Sequence, residues 1–449
     1  MTRAANGGEK WHVGTATRTI TPEEPMWMAG FAKRDEPADG QVHDLSARAV
    51  AIDDGERVAV VASVELLFVT REIRERVARR CTEAYGLEPD ALLLAATHTH
   101  CGPEFREFKL DMYADEGPYH ERAADYRERL IDDLVGVVGE ALDDREPATL
   151  SYSHARCGFG TNRRLPVPEG VAHVPNPDGP VDTEVPVLVA ESEERDENEG
   201  SEEETRIRAI LFGYACHTTT VMIERYCGDW AGFARREIES EYPEATALFL
   251  QGAAGDQNPY PRRELALARR HGETAATAVR AAVESRRKPV RGPLQALLVE
   301  RPIAFEDPPE RAELEEMAES DRRYLRVRAE ALLAELDEHG EIRTEHPYPI
   351  QGLGFDDDLT LLGLGGEVLV GYSLKLKERL PGPVWVAGYT NAEFTYVPTA
   401  QAIHEGGYEG GEVVRRTAFP GPLRPDVEER VLGGATAVAD RVRCDRREY

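Results

Sequence analysis

Apolar residues along this chain gather into short blocks, and between the blocks the spacing changes from strand-like to helical. Residues 47–52, 58–63, 91–96, 185–190, 207–214, 247–250, 294–299, 359–364 and 368–371 have the length and make-up of buried strands. Across 70–85, Ile73, Val77 and Cys81 share one face of a helix, and 123–142 repeats the spacing. Further helices are expected after Asp229 and over 265–285. Strands alternating with helices predict a mixed α/β architecture, with helices covering mixed β-sheets.

Two segments depart from this rhythm. Residues 191–206 form an acidic run inside a β-hairpin pattern and read as a solvated loop tip, a tolerated insertion. Residues 308–340 are charged and helical, with Leu314, Met317, Tyr324, Leu325 and Leu332 as a sparse apolar stripe, the pattern of a surface helix or hairpin packed on the main body. Neither an internal repeat nor a Pro/Gly/Ser linker divides the chain, so residues 1–449 are expected to form one large domain.

Composition narrows the function. The formal net charge is −29 and no Lys/Arg stripe is evident, which argues against nucleic acid as a partner. Lysine occurs at six positions only, Lys10, Lys33, Lys109, Lys288, Lys375 and Lys377. An acidic, lysine-poor chain points to a halophilic, high-salt habitat, with arginine-favouring codons as the plain alternative. The six cysteines contain no C-x-x-C pair and are sparse for a disulfide framework. The first ten residues lack an apolar signal region and no run is long enough for a transmembrane helix. A cytoplasmic protein is the simplest expectation; oligomeric state is not legible.

Candidate chemistry lies at two strand ends. Thr97-His98-Thr99-His100-Cys101-Gly102-Pro103 follows the apolar block 91–96, and Cys216-His217-Thr218-Thr219 follows 207–214. If the first strand persists, His98 and His100 project to the same side. Imidazole is the commonest metal ligand, and a catalytic zinc site needs three protein ligands and an open position. A single such histidine is equally compatible with a hydrogen-bonded core residue. The H-E-x-x-H motif is absent.

Taken in order, the motifs resemble those of the neutral/alkaline non-lysosomal ceramidase family. The first histidine cluster resembles its T-H-T-H-S-G-P. The segments 13–22 and 42–49 resemble its opening strands, and Asn162-Arg163-Arg164 its N-R-S element. Cys216-His217-Thr218-Thr219 with Gly228-Asp229 resembles its second histidine segment, and Gly255-Asp256-Gln257-Asn258-Pro259 its G-D-V-S-P-N loop. Gly366-Glu367 resembles P-G-E-F, 391–399 resembles N-x-Y-x-x-Y-V-T-T, and Tyr408-Glu409-Gly410 resembles Y-E-G.

The resemblance implies that fold and one Zn²⁺ held by His98, His217, Glu367 and Tyr396. It makes Arg163 a substrate-positioning residue; His100, beside the ion and with an imidazole suited to transfer near neutrality, is the candidate proton shuttle or oxyanion partner. The implied activity is hydrolysis of an N-acyl, ceramide-like amide (or an ester) by a metal-activated water, with a small or lipid-like amide as substrate. Asp229 and Asp256 read as caps or as carboxylates orienting a ligand histidine. Cys101 and Cys216 read as small packing residues.

Three departures stand out. Asn258 occupies the place of the family's serine; its amide can stabilise an oxyanion but cannot act as a nucleophile. No counterpart of the family's C-terminal β-sandwich is recognised, and no export signal. Two other readings compete with the metal hydrolase: a non-catalytic binding or structural protein on the same scaffold, and a thiol hydrolase using Cys101.

Overall fold

A computed structural model describes residues 11–113, 118–194 and 204–443. Eight strands run in the order Thr246–Gln251, Glu204–Tyr214, Glu184–Glu194, Glu146–Arg156, Trp11–Thr19, Ser46–Asp53, Val58–Val64, Leu92–Ala96, and Lys288–Val290 pairs beside Glu146–Arg156 to complete a nine-stranded sheet. The path curls. Near one end Ser63 donates its hydroxyl to the Phe249 carbonyl at 2.6 Å, and Arg48 reaches the Ala247 carbonyl at 3.2 Å, so the two margins approach each other. The outermost pair at each margin is parallel, and the rest of the path is antiparallel.

Helices cover this sheet as the periodicity requires. Arg71–Tyr85 is capped by the Thr70 hydroxyl, buries Ile73, Val77 and Cys81, and stops at Gly86 in a left-handed conformation (φ 68°). Tyr119–Asp143 packs against Trp11–Thr19 so closely that a Cβ on Gly14 would lie 2.1 Å from the Ala141 carbonyl oxygen; only glycine fits there. Asp229–Glu241 and Leu265–Glu284 pack on each other and shield the other end of the sheet.

A second sheet has the order Leu294–Ala304, Glu345–Phe355, Leu359–Leu364, Val384–Ala387, with Val427–Val442 across it over a separate apolar core. Isolated bridges Ala95–Thr390 and Gly252–Ala387 join the end of Val384–Ala387 to both margins of the first sheet. Five strand ends therefore converge, those of Leu92–Ala96, Glu204–Tyr214, Thr246–Gln251, Leu359–Leu364 and Val384–Ala387. Crevices beyond carboxyl ends of strands are where α/β folds bind ligands.

Residues 308–340 form a helical hairpin, Arg311–Ala318 and Arg323–His339, closed over Leu314, Leu332 and Ile342. One expectation fails. Residues 368–371 are not a strand: Glu367–Val368 pairs for two residues and a helix, Val370–Arg379, starts at once. The Asp256 carboxylate accepts from the Val370 amide at 2.8 Å and fixes that start, a long-range contact that a short apolar run does not reveal. The acidic hairpin pairs out to Glu194–Glu204, while 195–203 lies outside the described residues, as does 1–10. Among the described residues no helix is long and apolar enough to cross a membrane.

Candidate metal centre

His98 does not reach the site by strand alternation. The strand ends at Ala96 and His98 takes a left-handed backbone (φ 61°), a strained turn for a non-glycine residue, yet His98 and His100 still bring their Nε2 atoms within 3.3 Å. His217 follows Glu204–Tyr214 in a loop fixed by its amide on the Gln257 carbonyl (3.0 Å) and by the Trp230 indole on its own carbonyl (2.9 Å). Glu367 and Tyr396 come from the second sheet's side and sit opposite each other in a two-residue parallel ladder. All four side chains are buried, His98 at 1 %, His217 at 0 %, Glu367 and Tyr396 at 6 % exposure.

The ring nitrogens decide what can sit between them. His98 Nδ1 is 2.9 Å from the Leu67 carbonyl and His217 Nδ1 is 2.6 Å from the Ala254 carbonyl. Carbonyls only accept, so each Nδ1 carries a proton, and either ring, when it holds no second proton, presents a bare lone pair at Nε2. Both Nε2 atoms lie 3.2 Å from the same oxygen, Oε2 of Glu367, and the Tyr396 hydroxyl is 3.4 Å from His217 Nε2. Tetrahedral bonds of about 2.0–2.1 Å set ligand atoms about 3.3–3.4 Å apart. The donor set and its spacing thus fit a small divalent ion.

A second proton can relieve only part of this conflict. Burial opposes it on His98, but Glu367 and Glu393 outweigh burial and lift that imidazole to about 9. Burial, reinforced by Arg163, drives His217 down to about 3, so its lone pair stays bare. Glu367 resists its own burial and is held well below the usual carboxylate range, chiefly by His98. His100 is pushed well below 6.5 by burial and then by His98 and His217, and its Nδ1 is buried without a partner. It borders the same point: His98, His100 and His217 form one group of ligand atoms within 4.8 Å, and His98, Glu367 and Glu393 another.

Arg163 sits at a β-bulge in Gly160–Val167, where the register shifts and the side chain is re-aimed. It is no surface ion pair. Its guanidinium donates to Glu409 (2.8 Å), the Asn258 amide oxygen (3.0 Å) and the Tyr396 hydroxyl (2.9 Å), so it orients Tyr396 rather than reaching into open space. Asn258 Oδ1 also accepts from Thr219 at 3.2 Å, leaving its Nδ2 buried and unpartnered. Asp256 accepts from Val370 and Asn162, and Asp229 from Val221 and Trp230; both brace loops and neither touches a histidine ring. Cys101 and Cys216 are fully buried and burial pushes both thiols up, Cys101 to about 12, against any thiolate nucleophile.

Two residues escaped the sequence reading. Glu409 is buried between Arg163 and Arg164 and pairs with both, at 2.8 and 3.0 Å. Its motif is visible in the sequence, but its partners lie far away along the chain. Glu393 puts a carboxylate 3.3 Å from His98 Nδ1, and its side chain is wholly buried. It stands where the resembled motif has its first tyrosine, a departure that could have flagged it. Burial pushes Glu393 up to about 8 despite the pull of His98.

Above the cluster a cavity of about 150 Å³ opens between Leu67, Phe68, Phe394 and Val413, with His98, His100, Glu367 and Tyr396 also lining it. Comparison with known proteins agrees with this architecture. No family model matches the chain. A curated "Neutral ceramidase" from Mycobacterium tuberculosis is 26% identical over 275 residues, 55% of this chain and 40% of that protein, so the match spans less than half of its length. A crystal structure of neutral ceramidase from Pseudomonas aeruginosa superposes with a TM-score of 0.71 at 19% identity, covering 98% of this chain and 76% of that one. A structure titled "Ceramidase complexed with C2" gives 0.71 at 18% identity, over 97% and 76%. The chain has the mixed α/β fold of these proteins.

Proposed function

We propose that this neutral-ceramidase-like chain is a zinc-dependent hydrolase of an N-acyl amide bond, with His98, His217, Glu367 and Tyr396 as the metal ligands. One observation carries the reading: ligand-type atoms of four far-apart residues meet inside the protein, with His98, His217 and Glu367 linked at 3.2 Å and Tyr396 at 3.4 Å from His217, spacings that suit tetrahedral ligands of one ion. Likeness in fold and, over part of the chain, in sequence to neutral ceramidase supports the amide class of substrate.

Zinc at such a centre lowers the pKa of water towards neutrality and polarises a carbonyl. The chain's own residues do the rest. The Leu67 and Ala254 carbonyls hold the protons of His98 and His217 on Nδ1, keeping Nε2 free. Arg163 fixes the Tyr396 hydroxyl; burial holds that phenol well above its ordinary range, and the Arg163 charge offsets only part of this. His100, kept neutral and adjacent, is placed to accept or return a proton at a ring nitrogen. The apolar cavity walls exclude water from an acyl chain.

Protein purified without chelator should contain one zinc per chain and hydrolyse N-acyl amides, and His98→Ala and His217→Ala should lose both metal and turnover. Full turnover by either metal-free variant would reject the reading. A second reading, a non-catalytic zinc protein on this scaffold, draws on Asn258: both hydrogen bonds to its oxygen come from the protein, in the place of the family serine. Stoichiometric zinc without turnover on any N-acyl amide or ester would favour it.

A further inference from the structure

The cavity over the histidines has a charge opposite to that of the molecule around it. The chain carries 83 acidic and 54 basic residues, yet Arg106, Lys109 and Arg416 line this opening, and Glu367 at its floor is the one carboxylate among its described lining residues. Arg106 is balanced: its guanidinium meets Glu104 at 2.6 Å and lies over the Phe68 ring at 3.9 Å. Lys109 and Arg416 are not. The Lys109 ammonium donates to the Arg416 carbonyl, and the Arg416 guanidinium lies 5.3 Å from the Tyr324 ring. Among the described residues neither cation has a carboxylate within ion-pair distance, in a chain with acid to spare.

Lysine is scarce here, one of six in the whole chain. Placing it half-buried beside two guanidinium groups is costly. Burial, and next the charge of Arg106, pushes the Lys109 ammonium down to about 7. An anion seated between Lys109 and Arg416 would relieve that repulsion, and charge-assisted hydrogen bonds from lysine and arginine suit a carboxylate, sulfonate or phosphate oxygen.

We infer that the substrate of this site is an acylated compound bearing an anionic group close to the scissile bond, such as an N-acyl amino acid, rather than a neutral amide. The acyl chain would lie against Phe68, Phe394 and Val413, with the anion at Lys109 and Arg416. This rests on the hydrolase reading above and deepens it.

The test compares two monomeric, matched substrates, N-octanoylglycine and N-octanoylethanolamine, at one fixed salt concentration with zinc supplied. kcat/KM should favour the charged substrate by about tenfold or more, the worth of one charge-assisted hydrogen bond. In Lys109→Gln/Arg416→Gln that ratio should shrink to within about threefold. Equal rates, a faster neutral substrate, or a ratio that survives the double substitution would overturn the inference while leaving the hydrolase reading intact. If neither compound turns over, the comparison moves from rates to binding. Calorimetric binding of the same pair then decides the anion site, and equal affinities would refute it.

Discussion

On one side of the site, the Nε2 atoms of His98 and His217 crowd one oxygen of Glu367; on the other, every side-chain nitrogen of Arg163 has an acceptor in the protein. Both sides are buried and both are built from residues distant in sequence. The difference teaches what each is for. The Arg163 guanidinium is fully paired as it stands and has the character of a fixed wall. The histidine side gathers ligand-type atoms around one point, and its shape is maintained by contacts made elsewhere, at Leu67, Ala254 and Gln257. Preorganisation of this kind costs stability and is retained where function requires it.

The contrast can be broken most strongly at Arg163. Arg163→Met should lower folding stability by about 3 kcal/mol or more, because the Glu409 carboxylate keeps only part of its pairing in a buried place. Urea denaturation should show this loss with and without zinc; a loss below about 1 kcal/mol would mean the wall is not set by that pair. A finer probe is Glu393→Gln. If the carboxylate beside His98 Nδ1 strengthens that ring as a ligand, zinc affinity should fall about 10–100-fold in a chelator competition, with the fold intact. Unchanged affinity would assign His98's orientation to the Leu67 carbonyl alone.

The smallest effect is expected beneath the histidine side. His43 accepts the Gly228 amide at 2.8 Å, and burial drives its imidazole down to about 4. Its folded value lies below the unfolded 6.5, so its contribution is full above pH 6.5 and is lost as pH falls towards 4. His43→Gln keeps an acceptor without a titrating ring. The variant should lose about 2 kcal/mol less than the parent as pH falls from about 6.5 to about 5. Superimposable stability curves in pH would refute this.

Much of the fold was legible because burial on a sheet or under a helix leaves a local period. The strand before His98, the helix with Ile73, Val77 and Cys81, and the hairpin around Leu314 and Leu332 all follow from spacing. The segment after Glu367 was misread because Asp256, distant in the chain, decides where its helix begins. The four expected ligands were identified through resemblance, and the structure brings them together. The partners of those ligands were invisible for a physical reason. Glu393, Glu409 and the carbonyls of Leu67 and Ala254 act through tertiary contact, and a backbone carbonyl has no signature in sequence at all. Arg163 was expected to reach substrate and instead spends its donors on Tyr396, Asn258 and Glu409.

The two-residue ladder that sets Glu367 opposite Tyr396 lies with the second sheet, while His98 and His217 follow strands of the first. An ion gripped by all four would clasp the two apolar cores like a rivet. Parting the sheets would then mean surrendering the ion, so metal supply would govern resistance to proteases and heat as well as turnover. Starved of it, the molecule would be expected to open along that seam before anywhere else.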